Sequence, residues 1–181
     1  LASDVMTPEV LWSFGRIGSV SVSPDQKTLL YDVTYFNKEE DRSYSDIYVM
    51  NLADGKSQQL TDTDYKEFGE TWTSDGKIAF MSSKSGSVQL WEMNADGSGL
   101  TQLTNVEGGI GGFIFSPDKS KLLFLKDVKL EQDVHDLHPD LPKANARLID
   151  GQVYRHWNDW VEVYTHPFVA DYIPGQMVTT G

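Results

Sequence analysis

Short apolar runs alternate with polar turns along this chain, and the same order of turn and run occurs three times. The turns are Ser23-Pro24-Asp25, Ser74-Asp75-Gly76 and Ser116-Pro117-Asp118. Each turn is followed by a run rich in Leu, Ile, Phe and Tyr: Thr28–Tyr31, Lys77–Phe80 and Lys121–Phe124. Short apolar runs bounded by Ser, Pro, Asp and Gly predict β-strands joined by tight turns.

Two further motifs repeat at about the same interval as the turns. Asp54-Gly55 matches Asp96-Gly97, and Gln59-Leu60-Thr61 matches Gln102-Leu103-Thr104. The two Gln-Leu-Thr triplets lie 43 residues apart, and the second and third turns lie 42 apart. A repeat of about 40 to 45 residues with four short strands is typical of a β-propeller blade.

The markers also give the order of strands within one unit. An inner strand precedes each turn, the apolar run forms the second strand, and the third strand carries residues such as Ile47, Val49 and Leu90. Asp-Gly then forms a hairpin turn before a fourth strand. We predict an all-β chain of about three to four four-stranded antiparallel blades, with units at about 16–62, 68–105 and 110–181. Because a blade buries its apolar surface only against its neighbours, this length predicts an incomplete ring.

Two segments lengthen the repeat. The polar stretch 37–45 lies inside a hairpin of the first unit, and an insertion at 133–160 interrupts the third unit. The insertion holds two Pro, three of the four His and two of the five Trp. Its segment Pro142–Leu148 predicts a short helix entered through proline. Loops of such length are often functional.

Composition removes several classes of function. Lys plus Arg number 15 and Asp plus Glu number 27, so the net charge is −12 and nucleic-acid binding is disfavoured. An acidic surface attracts cationic partners such as a peptide amino terminus, although solubility alone is its commoner role. The absence of Cys excludes disulfides, thiolate metal sites and a cysteine nucleophile. No apolar run approaches the roughly 18 residues of a membrane span.

The repeats resemble those of TolB-like proteins and of prolyl oligopeptidase-family enzymes. The insertion resembles more specifically a segment of the bacterial dipeptidyl and acylaminoacyl peptidases in that family, through Leu141–Ala144, Arg147 and Tyr154–Trp160. The opening of the chain is similar to the start of those propellers as well, at Met6–Glu9, Leu11-Trp12 and Gly15–Ile17. Asn158 departs from the family pattern, which has Asp there, and Asp150-Gly151-Gln152 stands where two acidic residues are common.

The resemblance implies the N-terminal propeller part of a serine aminopeptidase. Its hydrolase domain would hold a Ser-Asp-His triad and a Gly-x-Ser-x-Gly elbow. This chain has no such elbow, so we expect no catalytic residues here, a hydrolase domain outside this chain, and no cofactor. The implied function is the gating and binding of peptide substrates, in the periplasm or after secretion. The alternative is a TolB-like propeller that binds a protein partner without an attached enzyme. An open arc of blades also predicts self-association.

Candidate substrate-binding residues lie at the end of the insertion. Arg155 would pair with a carboxylate or peptide carbonyl, and Glu162 would bind a substrate amine. Trp157 and Trp160 fit either a wall of the substrate chamber or an anchor of the insertion to its blade. The complete set of candidates is Arg155, His156, Trp157, Trp160 and Glu162.

Other motifs carry less chemistry. Glu39-Glu40 superficially resembles a pair of glutamates that holds an ammonium group, but its charged neighbours favour a solvated loop tip. His135 and His138 lack a third ligand at a fixed spacing, so no zinc is expected. Asp62-x-Asp64 lacks the Gly and closing Glu of a calcium hand. The glycine run 108–112 precedes no helix and is not a dinucleotide motif.

Overall fold

The computed structural model describes residues 5–129, 131–148 and 162–179. Strands dominate the described chain, together with two short helices. In chain order the elements are α1 (Pro8–Ser13), β1 (Arg16–Val22), β2 (Thr28–Asn37), β3 (Arg42–Asn51), β4 (Ser57–Gln59), β5 (Glu67–Trp72), β6 (Ile78–Ser82), β7 (Gln89–Met93), β8 (Thr101–Gln102), β9 (Thr104–Asn105), β10 (Gly112–Phe115), β11 (Lys121–Lys129), α2 (Val134–Leu137), β12 (Val163–Asp171) and β13 (Val178–Thr179).

Three antiparallel sheets follow one another along the chain. Their strand orders are β1-β2-β3-β4, β5-β6-β7-β8 and β10-β11-β12, and we call these sheets the first, second and third blades. The predicted all-β architecture of stacked propeller blades is therefore confirmed. Beyond the third blade, β13 pairs in parallel with β9, so the chain returns to the segment that joins the second and third blades.

The blades adhere through apolar cores. Between the first and second blades lie Leu30, Ile47 and Val49 on one side and Ile78, Phe80 and Met93 on the other. Ala79 and Met81 of β6 belong to the core on the side of the third blade, and every residue of this strand is buried. Both faces of the second blade are therefore covered by neighbouring blades, as the repeat predicts.

The two outward faces of the arc have no blade upon them in the described chain. Ile114 and Val169 on the third blade are 68% and 66% exposed, and Val20 and Val22 on the first blade are 57% and 50% exposed. Apolar side chains at such positions are normally covered in a ring of blades.

The turn between the inner strand and the second strand has one construction in all three blades. A hydroxyl donates to an Asp carboxylate two residues later, at 2.6 Å, in Ser23–Asp25, Thr73–Asp75 and Ser116–Asp118. The middle turn therefore begins at Thr73, and the predicted equivalence of Ser74 with Ser23 was wrong by one residue. The corrected second and third turns lie 43 residues apart, like the Gln-Leu-Thr triplets.

The hairpin of β2 and β3 is longer than its counterpart in the second blade. Four residue pairs, Thr34–Asn37 opposite Arg42–Ser45, extend beyond the position where the hairpin of β6 and β7 turns. This extension accounts for most of the extra length of the first repeat.

The short helix predicted at Pro142–Leu148 is wrong. The backbone there forms one turn at residues 142–143, and no side chain of the segment is buried. A seven-residue helix without packing is unstable in water, whatever its first residue. The insertion instead contains α2. This helix begins with a capping box between Asp133 and Asp136, and its Val134 side chain is buried.

Candidate functional site

In each blade the connection from the second to the third strand leaves from the same rim of the arc: residues 38–41, 83–88 and 130–162. We call it the long-loop rim. Both departures from the regular repeat, the long hairpin and the insertion, therefore belong to the same side of the fold.

A cavity of about 770 Å³ opens at the long-loop rim, and we call it the rim pocket. Its walls come from Trp12 of α1, the hairpin residues 36–38 and 41–44, the segment 64–66 before β5, and Ser83. The first blade, the second blade and the helix before them meet here.

Two aromatic rings build one wall of the rim pocket, and Arg16 packs against them. The rings of Trp12 and Phe36 meet edge to face with centroids 5.1 Å apart. The guanidinium carbon of Arg16 lies 4.4 Å from the Phe36 centroid and 5.1 Å from that of Trp12, a cation–π arrangement. These contacts fix α1 against the hairpin.

The tip of the hairpin is held by Tyr44, whose hydroxyl donates to the Glu40 carboxylate. This hydrogen bond raises the pKa of the Tyr44 hydroxyl. Glu39 and Glu40 are both exposed, as expected for a solvated loop tip. Glu40 therefore shares its carboxylate with a neighbouring side chain rather than with a second glutamate.

One of the five candidate residues from the sequence is described. The carboxylate of Glu162 pairs with the guanidinium of Arg147, and the two side chains are 61% and 46% exposed. A substrate amine would have to compete with this guanidinium. The other four candidates, Arg155, His156, Trp157 and Trp160, lie outside the described residues, and their proposed contacts stay predictions.

Sequence reasoning missed a set of buried carboxyl groups between the first and second blades. Glu67 and Glu70 on β5 are 1% and 4% exposed. Three residues apart on a regular strand, they would face opposite sides. A β-bulge between Phe68 and Thr71, with Gly69 at φ +65°, turns both toward the first blade. Each has an Oε2 atom without a hydrogen-bond partner.

Ser19 joins Glu70 to Asp32 across the two blades. Its Oγ lies 2.5 Å from Glu70 Oε1 and 3.2 Å from Asp32 Oδ1. A hydroxyl has one proton and cannot donate to both carboxyl groups at once. Burial, with a smaller contribution from the charge of Asp32, raises the pKa of Glu70 to about 7. When Glu70 is protonated, its hydroxyl can donate to Ser19 Oγ while Ser19 donates to Asp32 Oδ1.

A second polar cluster joins the second and third blades. Lys119 Nζ lies 2.6 Å from Glu92 Oε2 and 2.7 Å from Asp75 Oδ1, and Lys77 Nζ lies 2.8 Å from Glu92 Oε1. The Lys119 ammonium also stands 5.4 Å from the Phe115 ring. The buried Glu92 carboxylate is therefore paired with one lysine of the second blade and one of the third.

Within residues 5–129, 131–148 and 162–179, no group of three or more His, Cys, Asp or Glu side chains is placed to hold a metal ion. In that same part of the chain no helix is long and apolar enough to cross a bilayer.

Comparison with known proteins places the chain. No family model matches it. The chain is 44% identical over 177 residues to Dipeptidyl-peptidase 5 of Porphyromonas gingivalis, covering 97% of this chain and 26% of that protein. This chain belongs to the propeller region of the prolyl oligopeptidase family. Dipeptidyl-peptidase 5 of Porphyromonas endodontalis is 34% identical over 180 residues, which cover 99% of this propeller segment and 26% of that protein. The segment thus spans about a quarter of the length of these relatives.

Solved structures agree with the fold of this prolyl oligopeptidase-family segment. An acylaminoacyl peptidase in complex with Z-Gly-Gly-Phe-chloromethyl ketone matches with a TM-score of 0.63 and 17% identity, over 88% of this chain and 24% of that one. The acylaminoacyl peptidase of Pyrococcus horikoshii matches with a TM-score of 0.62 and 18% identity, over 88% of this chain and 23% of its own. At these identities the likeness concerns the fold alone.

Proposed function

We propose that this chain is the substrate-admitting part of the propeller in a serine dipeptidyl aminopeptidase. The observation that carries the proposal is the 44% identity to a dipeptidyl-peptidase along 97% of the chain. The sequence has no Gly-x-Ser-x-Gly motif, so hydrolysis belongs to another part of the whole protein. We place that protein in the periplasm or outside the cell.

The long-loop rim is the side on which the propeller meets its substrate in this proposal. Both insertions of the repeat lie there, and so does the rim pocket. Stacked blades with buried cores form a stiff wall, which admits an extended peptide more readily than a folded protein. Binding groups are best placed on loops that such a scaffold holds in position.

The predicted contacts of the insertion belong to the same proposal. Arg155 would bind a peptide carbonyl or carboxylate, with His156, Trp157 and Trp160 beside it. Glu162 would exchange Arg147 for the free amine of the substrate, since a carboxylate can hold either cation. Such a contact selects peptides with an unblocked amino terminus.

The test compares the full-length protein with this chain alone. Each is incubated with dipeptidyl 4-nitroanilides that carry either a free or an acetylated amino terminus. We expect the full-length protein to cleave the free-amine substrates in strong preference to the acetylated ones, and the chain alone to release no nitroaniline. The variant Glu162→Gln should raise KM for free-amine substrates, whereas Glu107→Gln at an exposed position should not.

Two results would contradict the proposal. Turnover by the purified chain would place catalytic groups within the propeller. A folded full-length protein without any dipeptidyl hydrolysis would favour the alternative of a TolB-like propeller that binds a protein partner.

A further inference from the structure

The rim pocket has a charge that differs from that of the whole chain. The chain carries a net charge of −12, yet the pocket lining holds three cations, Lys38, Arg42 and Lys66, against the two acids Asp41 and Asp64. The ion pairs of the described residues involve none of these three cations. The lining therefore offers three cations to a ligand, beside the carboxylates of Asp41, Asp64 and the Glu40 that Tyr44 bonds.

Exposed aromatic rings share the pocket with these cations. Trp12 is 40% exposed and Tyr65 is 42% exposed, although both are large rings that proteins usually bury further. The cavity of about 770 Å³ lies within the range of about 300 to 1,000 Å³ that is common for ligand sites. Cations beside accessible rings suit a flexible ligand that carries both a carboxylate and apolar side chains.

We propose that the rim pocket binds the downstream, carboxylate-bearing part of an oligopeptide substrate. Arg42 and Lys66 hold the carboxylate, and Trp12 and Tyr65 contact the side chains that precede it. This inference rests on the proposed function. In the proposed function Glu162 holds the free amine of the substrate, so the rim pocket is available to the part of the peptide beyond the scissile bond. Because Arg42 and Lys66 are cations, the pocket prefers the carboxyl end of that part.

The pocket's role is tested in the full-length protein with the double variant Arg42→Gln/Lys66→Gln. The matched control is Lys27→Gln/Lys56→Gln, which removes two charges at turns on the opposite rim. Substrates are hexapeptides with a free carboxyl terminus, the same hexapeptides with a terminal amide, and a dipeptidyl 4-nitroanilide.

We expect the wild-type protein to show a lower KM for the free-acid hexapeptides than for the amides. The double variant should raise KM for the free acids about tenfold, the equivalent of one charge-assisted contact of about 1.4 kcal/mol, with little change in kcat. KM for the amides and for the nitroanilide should stay within about twofold, and the control should match the wild type. Equal losses on all substrates, or no loss on the free acids, would overturn the inference.

A second measurement separates this inference from the proposed function. Binding of acetylated hexapeptides to the full-length protein is followed by titration calorimetry, which needs no turnover. Tighter binding of the free acid than of the amide, abolished in the double variant, supports the pocket even if dipeptidyl hydrolysis is absent. Equal binding of acid and amide refutes the pocket even if the enzyme is active.

Discussion

The bridge Glu70–Ser19–Asp32 makes the stability of the chain depend on pH. Glu70 is 4% exposed, and its pKa rises from 4.5 to about 7 on folding, chiefly through burial. A carboxyl group with a raised pKa stabilises the fold only while it is protonated. Its contribution is therefore complete below pH 4.5 and disappears as the pH rises through about 7.

The size of the effect follows from that shift. Moving a pKa from 4.5 to about 7 corresponds to about 3 kcal/mol, which the folded chain loses between mildly acidic and mildly alkaline solution. In Glu70→Gln the amide keeps the shape and a hydrogen for Ser19 but does not titrate. Other acids titrate in both proteins, so the difference between variant and wild type isolates Glu70.

The assay is urea unfolding of the chain followed by tryptophan fluorescence, from pH 4 to pH 8.5. The side chains of Trp72 and Trp91 pack against the core between the first and second blades and report on it. The free energy of unfolding of Glu70→Gln, relative to wild type, should rise by up to about 3 kcal/mol across this range. Glu107→Gln serves as the exposed control and should show no such rise. A difference that stays constant with pH would refute the protonated bridge.

Three further outcomes test the fold. Lys119→Met should lower the free energy of urea unfolding by about 2 to 3 kcal/mol, because buried Glu92 then keeps Lys77 as its one cation in the cluster. A loss under 0.5 kcal/mol would contradict this. Gly76→Ala, at φ +78°, should lower the free energy of unfolding by about 1 kcal/mol. Gln26→Gly, at φ +60° in the equivalent turn, should raise the free energy of unfolding by a similar amount. The opposite signs would exclude backbone strain as the cause. Light scattering should show a dimer or larger assembly of the chain, since both outward faces are apolar, and a uniform monomer would count against this.

Turn chemistry explains why the blades were predictable. A hydroxyl and an Asp two residues later close each inner turn, and an Asp-Gly dipeptide lies in the turn between the third and fourth strands of the first two blades. These contacts are local, so the sequence reveals them directly. The register error at Thr73 arose because Ser74 offers the same hydroxyl one position later, and the letters alone do not show which of them bonds to Asp75.

The buried carboxyl groups illustrate what local patterns miss. Nothing in the sequence marks Glu67, or Glu70 of the predicted inner strand, as buried, and the bulge at Gly69 is what brings them to one side. Their burial depends on a neighbouring blade that starts fifty residues earlier. The pocket has the same origin, since α1, the long hairpin and the segment before β5 meet through stacking rather than sequence proximity.

The long hairpin has an electrostatic consequence for anything that approaches the chain. Its four additional residue pairs extend about 14 Å past the last residue pair of β6 and β7, at about 3.4 Å per residue. In physiological salt the field of a charge decays over about 8 Å. The tip, where Lys38 and Arg42 flank Glu39, Glu40 and Asp41, therefore stands beyond most of the screened field of the acidic body. An arriving molecule meets these mixed charges of the tip before it meets the acidic body.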